Sequence, residues 1–126
     1  MMDVRVLAEK IAVAITSGEG TSSLLRLIRQ FIMDLNQSDS PIMLFSEEPL
    51  STGDARWDGM LAGVVEDFCF HHNISSPNWV FQPERFLDNW WFVTSIKSMR
   101  PTAIVETPAA LSSRGVFLRR ASLVNV

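Results

Sequence analysis

Apolar residues recur every three or four positions along three long segments, and this spacing restricts what the chain can fold into. Residues 3–16, 21–36 and 54–72 each place their apolar side chains along one stripe, as an amphipathic α-helix does. A stripe of this kind is stable only when it packs against another element. The connection between the first two segments is about four residues, which predicts an antiparallel helical hairpin.

Shorter segments predict helical fragments and little else. Alternation with a period of two is almost absent, so a minor β element is expected only near residues 116–118. Residues 93–105 fit a helix or a strand equally well. The remaining fragments are predicted at Pro41–Phe45, Pro83–Trp91, Thr102–Glu106 and Ala109–Ser113, each with a proline at or just before its start. The expected fold is all-α, a compact bundle of four to five helices.

Length and composition bound the remaining possibilities. The 126 residues suit one domain spanning 1–126, and a hydrophobic content of 47% suits a globular chain. Cys69 is the only cysteine, so no internal disulfide can form and a reducing compartment is expected. The N-terminus lacks the basic start of a signal peptide, and no apolar run is long enough to span a bilayer. The sequence therefore predicts a cytoplasmic protein.

Charge is unevenly distributed along the chain. Residues 1–63 carry nine acids and five bases, a net charge of −4. Residues 89–126 carry five bases and one acid, a net charge of +4. This basic tail either faces the acidic first half or binds an acidic partner or a phosphate backbone.

Aromatic residues are concentrated between Trp79 and Phe92. Six large rings fall in these fourteen residues, more than one helix face can bury. Most are expected in the core, while the others can form an exposed patch, and Trp with Arg is typical of protein-binding hot spots. The candidate partner-binding residues are Trp79, Arg85, Trp90, Trp91, Arg100, Arg119 and Arg120.

Residues that could carry chemistry are few. Cys69, His71 and His72 could form a soft metal site or a nucleophilic pair, but a structural zinc site needs four ligands and a nucleophile needs an oxyanion site. Asp54 and Asp58, four residues apart on one helix, could hold a divalent ion, although carboxylates are common at a helix start. For both groups a structural role is favoured: a helix C-terminus for Cys69, His71 and His72, and a helix N-terminus for Asp54 and Asp58. Neither a catalytic residue nor a metal or other cofactor is predicted.

Recognition of nucleotides or nucleic acid has little support in the sequence. The six glycines do not form a phosphate-binding loop. Residues 17–20 could be the turn of a helix-turn-helix, with Arg26, Arg29 and Gln30 on the helix that follows, but the surrounding charge is negative.

Three segments resemble a small, mostly actinobacterial and poorly characterised family. They are Pro49–Glu66 (PLSTGDARWDGMLAGVVE), Arg85–Phe92 (RFLDNWWF) and Thr107–Leu118 (TPAALSSRGVFL), and the similarity covers roughly residues 22–126. In that family, similar segments follow or stand beside helix-turn-helix regulators that look like antitoxins. The resemblance implies a partner-binding module on the antitoxin side of a toxin–antitoxin pair, without implied catalytic residues.

The favoured hypothesis is a non-catalytic module that masks another protein, a toxin or a regulator, with homo-oligomer formation left open. The first alternative is a transcriptional regulator or nucleic-acid-associated subunit that uses the basic tail. The second alternative is a small enzyme built on Cys69, His71 and His72.

Overall fold

The computed structural model describes residues 1–94 and 96–123, and within these ranges the fold is all-α with a minor β element, as predicted. The helices are α1 (Val4–Thr16), α2 (Thr21–Gln37), α3 (Ala55–His71), α4 (Arg100–Glu106) and α5 (Ala109–Ser112). The strands are β1 (Trp91–Phe92) and β2 (Val116–Phe117). Single turns of 3₁₀ helix lie at Pro41–Leu44, Asn78–Phe81, Pro83–Arg85, Lys97–Met99 and Arg120–Ser122.

Helices α1 and α2 form the predicted antiparallel hairpin. The side chain of Asp3 caps α1 by accepting a hydrogen bond from the backbone N–H of Arg5 at 2.7 Å. The backbone N–H of Met2 donates to Asp34 at 2.8 Å, which ties the start of α1 to the end of α2. A side-chain cap was predicted for α2 as well, but its N-cap is Gly20, which has no side chain to offer.

Helix α3 is the centre of the core. Residues 59–65 are buried all the way around the helix, because α1 packs on one side while α5 and the 3₁₀ turns pack on others. Asp54 caps its start, as predicted, by accepting from the backbone N–H of Arg56 at 2.9 Å.

The expected helix at Pro83–Trp91 is wrong beyond its first turn. The chain becomes extended at Phe86 and then follows the C-terminal segment. The backbone N–H of Leu87 donates to the carbonyl of Arg114 at 2.9 Å, and that of Trp91 donates to the carbonyl of Gly115 at 2.8 Å. Hydrogen bonds to a distant segment therefore replace those of a local helix.

The two strands pair in parallel, with Trp91 opposite Val116 and Phe92 opposite Phe117. The β element predicted near residues 116–118 is confirmed, although its partner strand was not foreseen. Helix α4 begins at Arg100 with a proline in its first turn. Of the ambiguous segment 93–105, the last part is therefore helical. No helix in the described ranges has the length and apolar character that crossing a membrane would require.

Candidate functional site

Strand pairing brings two aromatic side chains to the surface on one face of β1. Trp90, immediately before the strand, is 68% exposed. Its ring lies 4.8 Å from that of Phe117, which is buried beneath it. The ring of Phe92 stacks on Phe117 at 5.3 Å and meets Trp90 edge-on at 6.4 Å. The rings of Trp90 and Phe92 therefore both pack on the buried ring of Phe117.

A cation completes this surface. The guanidinium of Arg100 lies 4.9 Å from the centroid of the Phe92 ring, within cation–π range. Within the described residues Arg100 forms no ion pair, so its charge has no carboxylate partner there. We call Trp90, Phe92 and Arg100 the Trp90 surface. It combines an exposed indole, a half-buried ring and a positive charge.

Trp91 points to the opposite face of the strand, because successive side chains of a strand alternate. Its half-buried ring meets Trp57 of α3 edge-on at 5.1 Å. The guanidinium of Arg56 lies 5.2 Å from the same ring. Trp91 therefore attaches the strand to α3 and exposes less of its ring than Trp90 does.

Trp79 and Arg85 lie inside the protein, contrary to their prediction as surface anchors. Both are 5% exposed, and the guanidinium of Arg85 lies 4.9 Å from the Trp79 ring. The indole N–H of Trp79 donates to the carbonyl of Phe45 at 2.9 Å. Arg85 donates to the carbonyls of Asp58 and Pro49, both at 3.2 Å, and burial lowers its pKa. Their role is to hold loops against α3.

The other basic residues of the tail do not join the Trp90 surface. Arg119 is half-buried. Arg120 is exposed and lines a different groove, of about 490 Å³, beside α3. Three carboxylates border that groove, those of Glu66, Asp67 and Glu106. Part of the basic tail thus faces acidic groups of the same chain, but these three lie outside residues 1–63, the acidic half that the charge pattern predicted it to face.

Cys69, His71 and His72 do not form a reactive centre. Cys69 is 1% exposed, and burial raises the pKa of its thiol, which disfavours the thiolate. The Nδ1 atom of His72 lies 2.9 Å from the carbonyl of Phe68, and His71 lies 3.8 Å from Asp67. Across residues 1–94 and 96–123, no three His, Cys, Asp or Glu side chains are placed to hold a metal ion.

The Asp54 and Asp58 pair stabilises the start of α3. Hydrogen bonding by Arg56 lowers the pKa of Asp54. The carboxylate of Asp58 accepts from the hydroxyl of Ser51 at 2.6 Å and from the hydroxyl and backbone N–H of Thr52 at 2.8 and 2.7 Å. Both carboxylates therefore have a structural role: Asp54 caps α3, and Asp58 binds the loop that precedes it.

Sequence reasoning missed Phe117, because nothing near it in the chain indicates that it lies under Trp90. A signal was present at Trp90 and Phe92, whose spacing of two places them on one face of any strand. The helical interpretation of residues 83–91 hid that spacing.

Comparison with protein-family models, with curated proteins and with solved structures found no significant match.

Proposed function

We propose that the protein is a non-catalytic binding module that masks a partner protein, as an antitoxin masks its toxin, and that the Trp90 surface is its contact. The observation that carries the proposal is the exposure of Trp90, 68% of its surface, in an aromatic stack next to Arg100, which forms no ion pair with any described residue. A large exposed apolar side chain costs free energy in water, and a partner that covers it recovers that cost.

The chemistry of the surface indicates what the partner presents. The indole of Trp90 can pack against an apolar side chain of the partner. Burying the indole contributes about 2–3 kcal/mol to the binding free energy. The guanidinium of Arg100 can form an ion pair with a carboxylate of the partner, and its cation–π contact with Phe92 positions it. The expected partner segment therefore carries an apolar residue next to an acid.

The resemblance to antitoxin-associated proteins supports the masking role. Two of the three similar segments, Arg85–Phe92 and Thr107–Leu118, contain the two strands that form this surface. An inhibitor of this kind needs no chemistry, since an apolar contact with a charged rim is enough to occlude a partner.

The test is affinity capture from cells of the source organism with three versions of the tagged protein. The wild type and the Phe70→Ala variant are expected to retain one stoichiometric partner, while Trp90→Ala loses it. Phe70 is the matched control, because it is 77% exposed but lies on α3. With the partner purified, Trp90→Ala should weaken binding about 30-fold or more, and Arg100→Ala should weaken it more at low salt than at high salt.

Three results would overturn the proposal. One is full binding by Trp90→Ala. Another is equal loss by Phe70→Ala, which would show that the contact lies elsewhere. The third is salt-dependent binding to DNA that disappears when Arg100, Arg119 and Arg120 are all replaced, which would establish the nucleic-acid alternative instead.

A further inference from the structure

A groove of about 470 Å³ runs along the outer side of the α1–α2 hairpin. Its apolar lining includes Val6 and Val13 of α1, which are 41% and 65% exposed, and Leu27 of α2. The opposite side of α1 is already buried against the core. Helix α1 is therefore apolar on two sides, and the chain itself covers one of them.

The charges beside this groove are balanced. Glu9, Lys10, Glu19 and Arg26 border it, two acids and two bases. Within the described part of the chain, none of the four forms an ion pair. An acidic or a basic partner would leave two of them facing like charge. A second copy of the same groove brings two acids and two bases, so the contact is neutral and opposite charges can be matched across it.

The valine spacing also fits a contact between identical helices. Val6 and Val13 are seven residues apart, two helical turns, or about 10.5 Å along the axis. Their midpoint falls between residues 9 and 10. A twofold axis at that point sets two antiparallel α1 helices so that Val6 of each copy meets Val13 of the other.

We propose that this groove docks the same groove of a second copy, giving a twofold-symmetric dimer built from two α1–α2 hairpins. The inference does not depend on the masking function. It uses a different surface, so each dimer would offer two copies of the Trp90 surface.

The first test measures molecular mass by sedimentation equilibrium over a range of protein concentrations. The wild type is expected to form a dimer. Val13→Asp places a carboxylate in the contact and should raise the dissociation constant at least about tenfold. Val105→Asp is the matched control, since Val105 is 83% exposed on α4 and the dimer should be unchanged. Circular dichroism melting of each variant separates loss of dimer from loss of fold.

The second test checks the register by disulfide cross-linking. A mixture of Val6→Cys and Val13→Cys chains should cross-link under mild oxidation. Either variant alone should not, because its two thiols would lie about 10 Å apart along the helix axes. Cys69 is buried and does not compete.

A wild type that is monomeric at every concentration would overturn the proposal and leave the groove to another protein. A Val13→Asp variant that dimerises like the wild type would also overturn it, by showing that copies meet elsewhere. Cross-linking of Val6→Cys with itself, but not with Val13→Cys, would overturn the proposed contact, because it would place the twofold axis at residue 6 and not between residues 9 and 10.

Discussion

Arg114 shows how a single residue joins segments that are distant in sequence. Its side chain is fully buried, donates to Glu66 on α3, and donates to the carbonyls of Ala110 and Val80 at 2.7 and 2.6 Å. The ring of Phe86 stacks beside it at 4.5 Å. A planar guanidinium can serve three acceptors at once, which a lysine ammonium on its flexible chain does less well.

We expect Arg114→Ala to lower the free energy of unfolding by about 3 kcal/mol, since it leaves three acceptors without their donor. Arg114→Lys should recover less than half of that loss. Urea denaturation measures both, with Arg120→Ala as the control on an exposed arginine, expected within about 0.5 kcal/mol of wild type. If the Arg114→Ala protein were as stable as wild type, these contacts would make no net contribution to the free energy of unfolding.

At the scale of elements, α3 and α5 approach closely because α3 carries a glycine at the contact. A Cβ atom added to Gly63 would lie 2.4 Å from Cδ2 and 3.1 Å from Cγ of Leu111, which is fully buried. The leucine cannot move away without disturbing its own neighbours. Gly63 therefore allows α5 to rest directly on the central helix.

Gly63→Ala sets two effects against each other. Alanine gains about 1 kcal/mol over glycine inside a helix, while overpacking costs about 1–3 kcal/mol. We expect net destabilisation of up to about 2 kcal/mol, measured by chemical denaturation. Adding Leu111→Ala should reduce the cost of Gly63→Ala, which a double-mutant cycle would detect. If Gly63→Ala alone raised stability by the full helix-propensity gain, the close packing of these helices would be refuted.

At the scale of the whole molecule, one core joins the long helices to the C-terminal segments. Buried side chains of α1, α2 and α3 belong to the same cluster as Trp79, Leu111 and Val116. The thiol of Cys69 lies in this cluster and is 1% exposed. A reagent can therefore reach it only when the core opens.

Thiol labelling at pH 8 should report that opening. Native Cys69 is expected to react at least about a thousandfold more slowly than in urea, because labelling needs a structural opening and burial also raises the thiol pKa. A Phe70→Cys variant is the control, since the neighbouring position is 77% exposed and should label at once. Rapid labelling of native Cys69 would contradict its burial and would reopen the thiol-based enzyme hypothesis.

The sequence by itself determined the three long helices, the hairpin and the all-α class. Each depends on apolar spacing within one segment, and the cap residues Asp3 and Asp54 lie next to the helices that they start. Such signals are local, so no information about distant residues is needed to recognise them.

Only the tertiary structure decided which aromatic residues are buried and which are exposed. Trp79 and Arg85 entered the core, whereas Trp90 remained outside. Trp79 and Arg85 are buried by contacts with the distant residues Phe45, Pro49 and Asp58. Trp90 stays at the surface beside the pairing of β1 with β2, which joins residues about 25 apart through hydrogen bonds that neither segment predicts alone. A side chain is buried only if other residues pack against it, and in this region those residues come from distant parts of the chain.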